Sequence, residues 1–283
     1  MDTIEPKGNC EVVDTPGSKL HRGLRVPAKM VAGMVIRMMM MIRGWRFPAY
    51  FQLKDKWRVM TVGIEPDLLS FSSRVMAPGE TVLDIGANIG VLSRHFCRCV
   101  GESGRVLSFE PEPENLQALR YNLKRYRQAY VIEYAISDSN EPATFYLNRI
   151  SGTGNSLVPH QLGTRQIQVS CQTLDTFLGQ HPDVRPDWVK IDVEGGEFQV
   201  LRGMRETVRL FPAIRLIIEL CPQNLGGIES AEDLVAELLR LGFVLHWINL
   251  DGTTLPFLGV RMHHSAFEAQ GYVNLYCVGN GTP

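Results

Sequence analysis

The 283-residue chain contains no uninterrupted apolar run long enough to cross a bilayer. Its two N-terminal runs, Met30 to Ile36 and Met38 to Ile42, are stopped by Arg37 and Arg43, well short of the ~18 residues that a spanning helix needs. No basic start followed by an apolar core and a small-residue cleavage site opens the sequence, so a secretory leader is not expected. Excess charge of either sign is also missing. Lys and Arg total 29 against 30 Asp and Glu, a net charge of −1. No bulk field therefore draws the chain to nucleic acid, which is not an expected partner. Cysteine is sparse: of Cys10, Cys97, Cys99, Cys171, Cys221 and Cys277, only Cys97 and Cys99 lie close together. A lone C-x-C lacks the second pair and the histidines of a zinc site. Nothing reads as a disulfide framework, and a cytoplasmic location is the expectation. Repeats and low-complexity tracts are absent. What remains, 45% hydrophobic and 21% charged residues, is an ordinary globular composition able to bury a large core.

The most informative stretch is Val82-Leu83-Asp84-Ile85-Gly86-Ala87-Asn88-Ile89-Gly90. An apolar strand leads to an acid and two glycines, and the apolar face of a helix follows at Val91, Leu92 and Phe96. A second apolar run, Val106 to Phe109, ends in Glu110. Strand, glycine turn, helix and a second strand tipped with a carboxylate form a unit that holds an adenosine-bearing cofactor. The glycines admit close backbone approach, and the acid accepts from ribose hydroxyls. A dinucleotide needs a pyrophosphate cradle, G-x-G-x-x-G. Here the spacing is Gly86-x-x-x-Gly90, and Asp84 would repel a pyrophosphate. That acid suits a cation, so S-adenosylmethionine is the expected cofactor over a nicotinamide dinucleotide.

Strand and helix patterns alternate along the chain, which predicts an α/β fold: a mostly parallel sheet covered on both faces. Seven core strands are expected, at Val82–Ile85, Val106–Phe109, Val131–Tyr134, Trp188–Ile191, Arg215–Glu219, Val244–Ile248 and Tyr272–Val278. Helices are expected at Glu65–Met76, Val91–Val100 and Pro113–Tyr126, through Val200 to Val208, and after a cap at Ser230. Trp57–Val62 reads as a short strand. About 50 residues before the fourth core strand lack a plain crossover helix. They read instead as a β-hairpin insertion, Ala143–Leu147 with Gln166–Cys171, whose Gly-rich connection runs from Asn148 to Arg165. A connection of that length is usually functional. Asn155 and Ser156 are its expected substrate contacts.

Residues 1–60 read as a separate N-terminal extension, basic, Met-rich and partly disordered, and residues 61–283 as the cofactor-binding domain. From Thr15 to Lys54 there are eight Lys/Arg and no acid. Ala28 to Arg43 reads as a helix on which Lys29, Arg37 and Arg43 fall within about a 120° arc. Either this helix packs its methionines on the domain and leaves its arginines in water, or residues 28–43 make a peripheral contact with anionic lipid.

The motifs LDIGANIG (Leu83–Gly90), FEPEPEN (Phe109–Asn115), AISD (Ala135–Asp138), TLDTF (Thr173–Phe177) and WVKIDVEGGE (Trp188–Glu197) together resemble the FkbM family of S-adenosylmethionine-dependent methyltransferases, over about Thr61 to Val278. The resemblance implies a Rossmann-like class I methyltransferase fold and methyl transfer to a hydroxyl of a sugar, glycan or natural-product scaffold. In that reading Gly86 and Gly90 bring backbone beside the methionine part of the cofactor, with polar groups from Asp84 and Asn88. Glu110 takes the ribose diol. Ile136 packs on the adenine, whose amino group meets Ser137 or Asp138. Asp192 faces the transferred methyl, and Glu194 follows in the turn.

Methyl transfer to a hydroxyl gains from in-line alignment and from a base that removes the proton. Asp192 and Glu194 are the expected bases, with His160 on the long loop as third. Glu219, at a strand end, could serve the substrate pocket or cap a turn. Three carboxylates at strand ends do not make a metal site without geometry, and no metal is expected. The alternatives are a non-catalytic cofactor-binding protein, or an enzyme acting on a lipid-linked or other macromolecular acceptor.

Overall fold

The structure is a computed structural model that describes residues 28–61, 64–147, 155–158, 165–225, 227–263, 267–268 and 271–279. Three helices come first: α1 (Ala28–Arg43), α2 (Leu53–Thr61) and α3 (Pro66–Val75). The Rossmann-like alternation then runs β1 (Thr81–Ile85), α4 (Val91–Val100), β2 (Arg105–Phe109), α5 (Pro113–Leu123) and β3 (Ala129–Ile132). Short strands β4 (Ala135–Ile136), β5 (Ala143–Leu147), β6 (Arg165–Val169) and β7 (Cys171–Gln172) follow, and then α6 (Leu174–Gln180). The second half contains β8 (Trp188–Ile191), α7 (Glu197–Arg202), α8 (Arg205–Leu210), β9 (Arg215–Leu220), α9 (Ile228–Arg240), β10 (Phe243–Ile248), β11 (Thr254–Pro256) and β12 (Val273–Gly279).

The main sheet has the order β11-β10-β12-β9-β8-β1-β2-β3. The seven strands expected from the sequence are all present, and the three-residue β11 extends the edge. Strands β9, β8, β1, β2 and β3 run parallel, while β12 runs antiparallel to both β9 and β10. Every residue of β1 and of β8 is buried, as a sheet covered on both faces requires. Alternate residues serve opposite layers. Val82, Val106 and Trp188 pack with Phe71 and Phe96 on one side. Leu83, Leu107 and Val189 pack with Leu174, Leu201 and Leu234 on the other. Because β1, β2 and β8 are parallel and adjacent, Ile85, Phe109 and Ile191 end at one edge, where ligands bind in open α/β sheets.

The hairpin insertion is β5 paired with β6, a separate antiparallel ribbon. Several expectations are corrected. Trp57–Thr61, most of the expected strand Trp57–Val62, belong to α2, and Val62 lies outside the described residues. Adjacent Val59 and Met60 are both buried, which one face of a strand cannot achieve and a helical stripe can. The single helix expected through Val200 and Val208 is two. The chain turns at Gly203, where an added Cβ would fall 2.0 Å from the carbonyl oxygen of Ser137. The crossover before β8 does contain a helix, α6, capped by Thr173 accepting from the Thr176 amide; its seven residues are too few for a clear period. Ser230 lies inside α9, which starts two residues earlier after Gly227. The third core strand begins at Ala129 and ends at Ile132.

Candidate functional site

A cleft enclosing about 1040 Å³ of space, open to solvent, lies over the carboxyl edge, the place where open α/β sheets bind ligands. The end of β1 supplies Asp84 through Asn88, β2 leads to Glu110, and β4 contributes Ile136. Lys190, Asp192 and Glu194 come from the end of β8, Phe145 from β5, and Asn155 from the segment after it. Phe51, Ile64 and Glu65 close one wall.

Glu110 is 4% exposed. Its Oε2 accepts from the Asn88 amide at 2.9 Å, and its Oε1 accepts from the Glu112 amide at 2.9 Å and from Asn115 Nδ2 at 3.4 Å. These donors fix the carboxylate on the cleft wall. Burial is the larger influence, however, and pushes its pKa up to about 7. Asn88 has a left-handed φ of 52°, which asparagine tolerates better than most residues, and its Oδ1 accepts from the Ile89 amide.

The glycines are required for reasons internal to the chain. Gly86 has φ 83°, and a Cβ there would fall 1.9 Å from the carbonyl oxygen of Asp192. The turn after β1 thus presses against the end of β8. Gly90 also has φ 83°, and its Cβ would meet Leu119 on α5 at 2.6 Å. Gly86 lines the cleft; Gly90 is not among the residues that do.

Asp84 is fully buried. Its Oδ2 accepts from Ser93 Oγ at 2.5 Å, and its Oδ1, which has no hydrogen-bond partner, lies 3.8 Å from Lys190 Nζ. Burial raises its pKa, opposed by Lys190 and Ser93. The cation this acid faces is therefore the chain's own Lys190, a residue that the reading of the sequence missed. Lys190 Nζ also donates to Asp192 Oδ2 at 2.8 Å. Burial alone would lower the lysine's pKa, but the charges of Asp192, Asp84 and Glu65 outweigh it and hold it above its ordinary value.

Glu65 was missed as well. It precedes Pro66 with a left-handed φ of 53° and is buried beside the cleft. Burial first, and then the charge of Asp192, raises its carboxyl to about 8. Glu194, with φ 57°, accepts from Asn224 Nδ2 at 2.7 Å. Glu219 lies outside the cleft lining. Burial, followed by the charges of Asp192 and Glu194, raises it well above the ordinary range.

Other expected contacts are not brought to the cleft. Ser156 is buried, donating to the Val193 carbonyl at 3.2 Å and bridging Tyr146 through its backbone. Ser137 and Asp138 do not line it either. Asp138 turns toward Arg202, 3.7 Å away, because the chain leaves β4 along Gly203 rather than over the opening. His160 lies outside the described residues.

A mainly parallel sheet in which, among the described residues, β12 and the short edge strand β11 run reversed, with a cleft over its carboxyl edge, defines a class I S-adenosylmethionine-dependent methyltransferase. Residues 84–245, more than half the chain, match the methyltransferase FkbM domain, and the chain belongs to that family. It is 24% identical over 193 residues to the hexuronic acid methyltransferase AglP of Haloferax volcanii, an alignment that covers 67% of this chain and 77% of that protein. It is 28% identical over 195 residues to the 31-O-demethyl-FK506 methyltransferase FkbM of Streptomyces tacrolimicus, covering 58% and 72%. Among solved structures it is similar to cofactor-bound Rv0187 from MTB, with 14% identity, a TM-score of 0.44 and coverage of 89% of this chain and 91% of that one.

Proposed function

We propose that this methyltransferase acts on oxygen, and that its acceptor is a hydroxyl of a sugar, glycan or natural-product scaffold. The observation that carries the reading is the group of acids at one side of the cleft, Glu65, Asp192 and Glu194, beside Lys190. A neutral hydroxyl must lose a proton to become a useful nucleophile, and a positioned carboxylate contributes ~10²–10⁴-fold by accepting it. The names of three relatives agree: a hexuronic acid methyltransferase, a 2-O-methyltransferase and a 31-O-demethyl-FK506 methyltransferase.

The residues present fit S-adenosylmethionine. Glu110 offers a fixed carboxylate for the ribose hydroxyls, and Ile136 offers an apolar surface for a ring. The turn Gly86–Asn88 lines the same cleft beside Glu110, to which the Asn88 amide donates. When bound, the cofactor supplies a methyl group on a sulfonium. A carboxylate aimed at that cation would stabilise the ground state more than the transition state, because the charge disappears as the methyl leaves. Pairing Asp84 with Lys190 and Ser93 leaves the electrophile without a direct counter-ion. The acids at the end of β8 and before α3 remain for the acceptor's proton. Asn155, which also lines the cleft, contacts the acceptor in this reading.

The test is incubation of the protein with S-adenosylmethionine and a panel of hexuronic acids, oligosaccharides and macrolides bearing free hydroxyls. Mass spectrometry should find products heavier by one methylene, with S-adenosylhomocysteine released in equal amount. Products methylated on nitrogen or carbon only would overturn the oxygen assignment. Failure of calorimetry to detect S-adenosylhomocysteine binding would overturn the assigned cofactor cleft.

A further inference from the structure

Helix α1 is apolar on two opposite faces. Ile36 is buried against Phe47, Phe51, Met60 and Ile89, with Met39 and Met40 packed alongside. The opposite face should then be polar. It is not: Met30, Met34, Met38 and Met41 recur at i, i+4, i+8 and i+11, and they are 57%, 63%, 52% and 74% exposed. At 100° per residue these four span about 80°, and Val31 and Ile42, also exposed, widen the stripe. Cations flank it. Arg37 is exposed at its edge and lies close enough to Lys56 on α2 to add, after burial, to the lowering of that amine's pKa. The span Thr15 to Lys54 contains eight Lys/Arg and no acid, in a chain whose net charge is only −1.

We propose that α1 docks the enzyme on an anionic lipid surface, lying flat with its methionine face among the acyl chains and Arg37 at the headgroups. An exposed apolar stripe has to be covered by something, and charge selects the cover. A second copy of this chain meeting α1 across a two-fold axis would bring the same patch against itself and set each Arg37 near its own copy, with no acid on α1 to offset it. Anionic headgroups instead complement those cations, each worth about 1 kcal/mol near such a surface. Helix length agrees with lying on rather than crossing: sixteen residues extend only about 24 Å, and no helix among the described residues is long and apolar enough to span. Unbranched, polarizable methionine adapts to an irregular partner such as a lipid interface. The same unit walls the cleft through Phe51 and Ile64, so docking would bring the opening to membrane-borne acceptors. The inference does not depend on the oxygen assignment above, because binding is read without turnover.

The test is co-sedimentation of the full chain with vesicles of phosphatidylcholine alone and of phosphatidylcholine mixed equally with phosphatidylglycerol. Expected is pelleting with the anionic vesicles only, abolished in the combined variant Met34→Glu, Met38→Glu, Met41→Glu. Replacing Arg37 by Ala should weaken partitioning about fivefold, the effect of one headgroup charge. S-adenosylhomocysteine affinity measured on each variant verifies that the fold survives. Failure of the parent chain to pellet, or equal pelleting of the triple variant, would overturn the proposal. A parent dimer in sedimentation that the triple variant dissociates, without vesicle binding, would assign the face to a second copy instead.

Discussion

Lys190 and Asp192 stand two residues apart at the end of β8 and are joined by a 2.8 Å ion pair. The lysine also faces buried Asp84 from the neighbouring strand. It is 4% exposed at its side chain and is the cation shared by Asp84, Asp192 and Glu65. Removing one partner of a buried charge group leaves the others uncompensated, at a cost of about 3–5 kcal/mol. Lys190→Met should therefore lower the unfolding free energy in urea by about that amount. The double variant Lys190→Met, Asp84→Asn should recover part of the loss. A single variant within about 1 kcal/mol of the parent would mean the acids take up protons at little cost.

Three buried glutamates make stability depend on pH in one direction. Glu110 and Glu197 are raised from 4.5 to about 7, and Glu65 to about 8, each chiefly by burial. Their folded-state pKa values exceed those of the unfolded chain, so the folded form binds more protons between these limits. Their contribution is fully present below pH 4.5 and is lost as pH rises through about 7 to about 8, the sign that linkage requires. Urea midpoints should fall across this window, and Glu110→Gln should flatten the slope. Cofactor affinity should rise over the same range, because an ionised Glu110 accepts ribose hydroxyls better. A flat stability profile in both proteins would contradict the assigned burial.

The sequence displayed those parts of the site whose chemistry is local. Asp84, Gly86 and Asn88 lie within five residues, and Glu110 follows one helix later, so a single strand-turn-helix-strand unit announces them. Lys190 could not be found in that way. In the run Trp188 to Ile191 it reads as an odd charge in a strand, and its partner Asp84 lies 106 residues earlier and becomes a neighbour only through the β1–β8 register. Glu65 has the same difficulty, since a left-handed backbone before Pro66 leaves no compositional trace. Ser137 and Asp138 follow a strand end, as adenine contacts should. The close passage of Gly203 beside the Ser137 carbonyl takes them away from the cleft, and no spacing in the sequence shows that. Helix α2 resembles a strand in the sequence because a short stretch of mixed polarity fits a period of two as well as one of 3.6.

The Gly86 turn should be intolerant where another glycine is not. A methyl group at Gly86 would overlap the Asp192 carbonyl and demand φ 83° from an L side chain. Left-handed strain and overpacking each cost ~1–3 kcal/mol, so Gly86→Ala should lose about 3 kcal/mol or more and displace the end of β8. Gly179 in α6 has nothing within 4 Å of its built Cβ. Gly179→Ala should gain about 0.5–1 kcal/mol through helix propensity. Thermal unfolding of the two variants with and without S-adenosylhomocysteine checks both signs. Comparable stability in the pair would show that the turn can open.

Glu65 lies before the 84–245 family match, yet it shares the cleft with Asp192 and Glu194. Asp192 is tied to Lys190 and Glu194 to Asn224. Among the three, Glu65 has its carboxyl raised to about 8, near the pH at which a general base works best. If it takes the acceptor's proton, kcat/KM rises with pH until about 8, because the base acts ionised. Glu65→Gln keeps size and backbone, and should lower kcat by ~10²-fold or more and remove that rising limb, leaving S-adenosylhomocysteine affinity unchanged. Asp192→Asn would instead release Lys190, disturbing stability and cofactor affinity together with rate. A Glu65→Gln enzyme within about twofold of the parent kcat, with its pH profile intact, would return the proton to the acids at the end of β8 and leave Glu65 as the residue that turns the chain into α3.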